Sequence, residues 1–74
     1  MNIRARNILH GIVKKIIPGD GNVEIIVEIP GGMEIASLIS REDAEKLDLS
    51  EDQTVFAVID ASDVKISVDW SADR

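Results

Sequence analysis

Two clusters of turn-forming residues, Pro18-Gly19-Asp20-Gly21-Asn22 and Pro30-Gly31-Gly32, cut the first half of this chain into short apolar runs. Proline lacks a backbone N–H and fixes φ, and glycine reaches φ values closed to other residues, so such clusters end regular structure. Between the clusters, Val23 to Ile29 alternates. Val23, Ile25, Val27 and Ile29 fall on one face, and Glu24, Ile26 and Glu28 on the other. A period of two is that of a β-strand with one buried face.

The neighbouring runs follow the same logic. Ile8 to Ile17 carries Ile8, Leu9, Ile12, Val13, Ile16 and Ile17, a β-branched excess that suits a strand better than a helix. Met33 to Ile39 reads as the strand returning from the second turn, which makes a hairpin with Val23 to Ile29. At Ser40-Arg41-Glu42-Asp43 the pattern changes to a Ser-x-x-Asp helix start, with acids where the positive end of a helix dipole favours them. The spacing predicts a helix over Arg41 to Leu47 with Ala44 and Leu47 toward the sheet. Thr54 to Ile59 and Val64 to Val68 read as the fourth and fifth strands. The expected fold is all-β, a five-stranded OB-like barrel with one short helix between strands 3 and 4; a split SH3-like barrel is the alternative. Residues 1–69 are expected to form the single domain, and residues 70–74 a polar tail carrying Trp70.

Size then limits how such a fold can be stabilised. A chain of 74 residues buries only about 60% of its unfolded surface. There is no cysteine for a disulfide, and His10 is the only histidine, which argues against a zinc site. Yet 45% of the residues are hydrophobic, more than one small domain readily hides. Self-association is the remaining source of burial, so a homo-oligomer is expected.

Charge and composition exclude several functions. A net charge of −6 disfavours nucleic acid and anionic membranes, both of which reward clustered Lys and Arg. A nucleic-acid-binding barrel would also need stacking aromatics, and only Phe56 and Trp70 are present. No apolar run approaches the ~18 residues that cross a bilayer, and no signal segment opens the chain, so a cytoplasmic location is expected. Catalysis is not expected either. There is no Cys or Tyr, His10 has no triad-like spacing, the glycines lie in turns rather than phosphate-binding loops, and the acids are dispersed.

Three short stretches could hold an anion. On an extended Arg4-Ala5-Arg6-Asn7 segment, Arg4 and Arg6 point the same way, and two guanidinium forks suit a tetrahedral oxyanion. The plain alternative is a basic, edge-blunting strand start. Ser40 stands at a helix N-terminus, where free N–H groups attract anions, although a simple N-cap explains it as well. Asp60-Ala61-Ser62-Asp63 offers a hydroxyl and turn N–H groups, or is an ordinary turn.

The same stretches carry a resemblance. Ala5-Arg6-Asn7-Ile8-Leu9-His10-Gly11 resembles the "ARN-x-L-x-G" opening of the molbindin family and the related TOBE domains. Asn22-Val23-Glu24-Ile25 resembles its "N-x-E-V" strand, and Gly31-Gly32 through Ile39-Ser40 its "GG-x-x-I-x-A-x-I-T" stretch. Leu47-x-Leu49 and Val55-x-Ala57-x-Ile59 follow in order, and Ala61-Ser62-Asp63-Val64 resembles the closing "K-A-S-D-V". The match covers about residues 3–68. It implies an OB-like protein that assembles as a hexamer, a trimer of dimers. It also implies molybdate or tungstate held at subunit interfaces, the metal bound only as its oxyanion, for molybdenum storage and homeostasis. Carried onto this chain, the implied site is Arg4, Ala5, Arg6 and Asn7, then Ser40, then Asp60, Ala61 and Ser62.

Two positions depart from the pattern. Arg4 stands where the family has Ser, and Asp60 where it has Lys. A carboxylate facing a dianion repels it. The favoured expectation is that Asp60 pairs with Arg4, so that the positive charge has changed strands. Otherwise Asp60 points away, or the site is lost and the chain is a non-catalytic oligomerisation or regulatory module.

Overall fold

The computed structural model describes residues 6–70. Strand β1 (Arg6–Pro18), β2 (Asn22–Glu28) and β3 (Glu34–Ser40) are followed by helix α1 (Arg41–Leu47), β4 (Thr54–Asp60) and a short 3-10 turn (Ala61–Asp63). The strands form one antiparallel sheet in the order β3-β2-β1-β4. The β2–β3 hairpin closes through Gly31 and Gly32, whose φ values of +102° and +94° need glycine.

Strand β1 is the spine of the molecule. Its first half pairs with β4, from Arg6↔Asp60 to Ile12↔Thr54, and its second half with β2, from Ile12↔Glu28 to Pro18↔Val23. A bulge between Val13 and Lys15 lets it bend from one partnership to the other. Val13 sits at that bend, fully buried. Its N–H donates to the Gln53 carbonyl at 2.9 Å, and its carbonyl accepts from the Asp52 N–H at 2.8 Å.

The alternation read from β2 holds: Val23, Ile25 and Val27 are buried with Val13 to form the core, and Ile16, Ile29, Ile39, Ala44, Leu49 and Val55 pack around it. Helix α1 has the predicted span and is capped by Ser40, whose Oγ accepts from the Asp43 N–H at 3.0 Å. Arg41 ties the helix to the first turn, its side chain donating to the Gly19 carbonyl at 3.0 Å. Ala44 reaches the core, whereas Leu47 is 58% exposed at the edge of an open apolar trough.

The five-stranded barrel is corrected to a four-stranded half-barrel. Val64 to Val68 forms no strand; it follows the 3-10 turn as irregular chain, with Ile66 88% and Val68 96% exposed. A strand needs a partner edge as well as a pattern, and within one protomer this segment lies on neither free edge. The half-barrel is left with an open trough of about 560 Å³, lined by residues including Ile25, Ile35, Leu47, Leu49, Val55 and Ala57. No helix of the described residues is long and apolar enough to cross a membrane.

Candidate functional site

The start of β1 meets the end of β4, and this junction gathers most of the expected anion-binding residues. Arg6 and Asp60 are direct cross-strand partners, so their side chains leave the same face of the sheet. Arg6 Nε lies 3.4 Å from Asp60 Oδ1, the arginine side chain 49% and the aspartate 29% exposed. At that exposure the pair contributes no more than about 1 kcal/mol to folding. Next in the chain, Asn7 Nδ2 donates to the Ile59 carbonyl at 3.3 Å and pins β1 to β4 beside the pair.

Ala61 and Ser62 follow Asp60 directly in the 3-10 turn, closed by the Val64 N–H donating to the Ala61 carbonyl at 3.2 Å. Asp60 stands at the N-cap of this turn without a side-chain capping bond, because its carboxylate is turned toward Arg6. One end of one sheet edge thus carries a guanidinium, an amide, a carboxylate and a hydroxyl-bearing turn.

Arg4 and Ala5 lie outside the described residues. The pairing expected between Arg4 and Asp60 falls there too; the partner described for Asp60 is Arg6. Ser40 is placed elsewhere. It pairs with Asn22, beyond the Pro18 end of β1, while Arg6 opens that strand of 13 residues. The register thus sets Ser40 beside the Pro18 end of β1 and Arg6 at its opposite end. One protomer therefore does not bring Ser40 to the Arg6 junction, and its hydroxyl is engaged by the helix it caps.

The surface beside the junction is apolar. Ile8↔Val58 and His10↔Phe56 continue the ladder from Arg6↔Asp60 on the same face, with Ile8 62% and Phe56 66% exposed. The His10 ring stacks at a tilt on Phe56, centroids 5.8 Å apart. Sequence reasoning missed this patch. The signal was in the second apolar set of each strand, Ile8 and Ile12 against Phe56 and Val58, but the register that joins them was not. Among the described residues, no group of three or more His, Cys, Asp or Glu side chains could hold a bare metal ion.

Comparison with known proteins agrees with this fold. The model of the TOBE domain matches residues 3–66. Molybdenum-pterin-binding protein 1 of Clostridium pasteurianum is 41% identical over 66 residues, which cover 89% of this chain and 97% of that protein. The structure of MopII from Clostridium pasteurianum superposes with a TM-score of 0.82 at 37% identity, covering 90% of this chain and 100% of that one. A molybdate-binding protein from Sporomusa ovata superposes with a TM-score of 0.80 at 28% identity, covering 90% and 98%. In its ladder, its half-barrel and its sequence, the chain belongs to the TOBE domain family, as a molbindin-type member.

Proposed function

We propose that this protein binds molybdate or tungstate, as tetrahedral oxyanions, at interfaces between copies of itself, and that it serves molybdenum storage and homeostasis in the cytoplasm without catalysing a reaction. The observation that carries this reading is the β1–β4 junction. Arg6, Asn7, Asp60, Ala61 and Ser62 meet there at the border of an exposed apolar face. Relatives of nearly the same length are molybdenum-pterin-binding and molybdate-binding proteins.

Self-association follows from the apolar surface. The open trough, the patch around Ile8 and Phe56, and the exposed Ile66, Val68 and Trp70 all belong to one short chain. Apolar surface of this extent marks an interaction site, and a second copy of the chain supplies complementary segments. Covering the patch would shelter the adjoining junction from water and strengthen its polar contacts with an anion. It would also let Ser40 of another copy contribute, which one protomer alone does not allow. The expected assembly is a hexamer arranged as a trimer of dimers.

Binding needs no proton transfer. A dianion exchanges water for N–H and O–H donors, and the larger size of molybdate and tungstate separates them from sulfate. A second reading has its own observation. The Asp60 carboxylate already occupies Arg6, as expected of an oligomerisation or regulatory module whose oxyanion site has decayed.

Thermal unfolding with molybdate, tungstate or sulfate at matched ionic strength separates the two, with assembly mass followed by light scattering. A ligand at 100 times its Kd stabilises the native state by about 2.7 kcal/mol. A rise in midpoint specific to molybdate or tungstate, on an oligomer, is the expected result. No rise with any oxyanion would leave the module reading.

A further inference from the structure

We propose that Asp60 is a built-in competitor for the oxyanion, a resident carboxylate that holds Arg6 until a tetrahedral dianion displaces it. The inference rests on the functional reading above and goes beyond it to how the site is regulated.

Register makes the competition unavoidable. Arg6 and Asp60 face each other across an antiparallel ladder, so the carboxylate cannot be remote from the guanidinium. The contact runs through Arg6 Nε at 3.4 Å, and Asp60 is the more sheltered partner, 29% against 49% exposed. The sheltered group is the one held in place, while the arginine reaches toward solvent. Asn7 fixes the spacing by tying its amide to the Ile59 carbonyl.

Charge sets the consequence. The Asp60 carboxylate offsets the Arg6 charge that an incoming anion would otherwise meet. An anion that takes the Arg6 donors must outbid the carboxylate. A tetrahedral dianion does so because it carries twice the charge and two more oxygens. Monoanions such as nitrate or chloride do not. The site therefore loads only when the dianion is plentiful, which suits a buffer of excess rather than a scavenger of traces. Displaced from Arg6, the Asp60 carboxylate stands at the N-cap of the 3-10 turn, where the backbone N–H groups of that turn can receive it.

The test is calorimetric titration of the intact oligomer with sodium molybdate. Asp60→Asn keeps the shape and removes the charge, and it should bind at least about tenfold more tightly than the parent. Asp60→Glu should stay near the parent, and the added change Arg6→Gln should cancel the gain. Measured against Arg6→Gln alone, a loosened turn would leave the same fold gain in the double variant, whereas relief of competition leaves none. On the parent itself, the 13C resonance of the Asp60 carboxyl should shift as molybdate is added. Molybdate binding to the parent with no gain in Asp60→Asn, or an unmoved Asp60 resonance at saturation, overturns the proposal and leaves the functional reading standing. Binding by Asp60→Asn alone means that the dianion does not displace the carboxylate; it overturns the proposal and leaves the module reading. If neither protein binds molybdate, the functional reading falls and this inference with it.

Discussion

A Cβ placed on Gly11 would stand 2.6 Å from Val27 Cγ1 and 2.8 Å from the Glu28 carbonyl oxygen. Strand β1 therefore crosses β2 with no room for a side chain, one residue before their ladder begins at Ile12↔Glu28. Both Gly11 and Val27 are buried, so neither can yield toward solvent. Gly11→Ala should destabilise the protein by about 1–3 kcal/mol, the cost of overpacking a filled site. Chemical denaturation at fixed protein concentration checks this, with an unchanged denaturant slope expected.

Val13 is the second vulnerable point, because it belongs to both halves of the sheet. It pairs with Val27 on β2 and exchanges backbone bonds with Asp52 and Gln53 ahead of β4. Val13→Ala keeps those bonds and leaves a cavity at the one fully buried large side chain described. A loss of about 2–3 kcal/mol is expected from the missing methyl groups and the void. Hydrogen exchange should show the residues on both sides of the bend losing protection together.

Ser40 separates a capping role from a ligand role. Its hydroxyl accepts from the Asp43 N–H, so Ser40→Ala should cost about 1 kcal/mol of stability in protein free of oxyanion. Ser40→Asp, which also caps, should restore that stability. Because the added carboxylate repels an anion, it should not restore molybdate affinity if Ser40 of a neighbouring copy completes the site. Unfolding midpoints with and without molybdate read both effects.

Phe56 tests the assembly. It is 66% exposed beside Ile8 and Val58, so Phe56→Asp should leave the protomer's strand signature in circular dichroism intact. It should reduce the mass measured by light scattering, and remove the stabilisation that molybdate confers on the parent. A full-sized assembly carrying Asp at this position would exclude the patch from the interface.

Local chemistry made much of this legible in advance. The three hairpin strands, the alternation of Val23, Ile25 and Val27, and the helix from Arg41 with its Ser40 cap all follow from neighbours within a few residues. Arg6, Asn7 and the 61–63 turn could likewise be singled out as polar features between apolar runs.

What the sequence by itself determined was the element list and the residues with binding chemistry, because period, turn residues and capping act over a few residues of chain. Tertiary structure alone decided which of those residues meet. The 53 residues between Arg6 and Asp60 are closed into a loop only by the β1–β4 register, which set the two opposite each other. The length of β1 separated Ser40 from both. Within one protomer Val64 to Val68 pairs with neither free edge, β3 or β4, despite an alternation as regular as that of β2. Pairing depends on which backbone is within reach, and no local pattern of side chains encodes that.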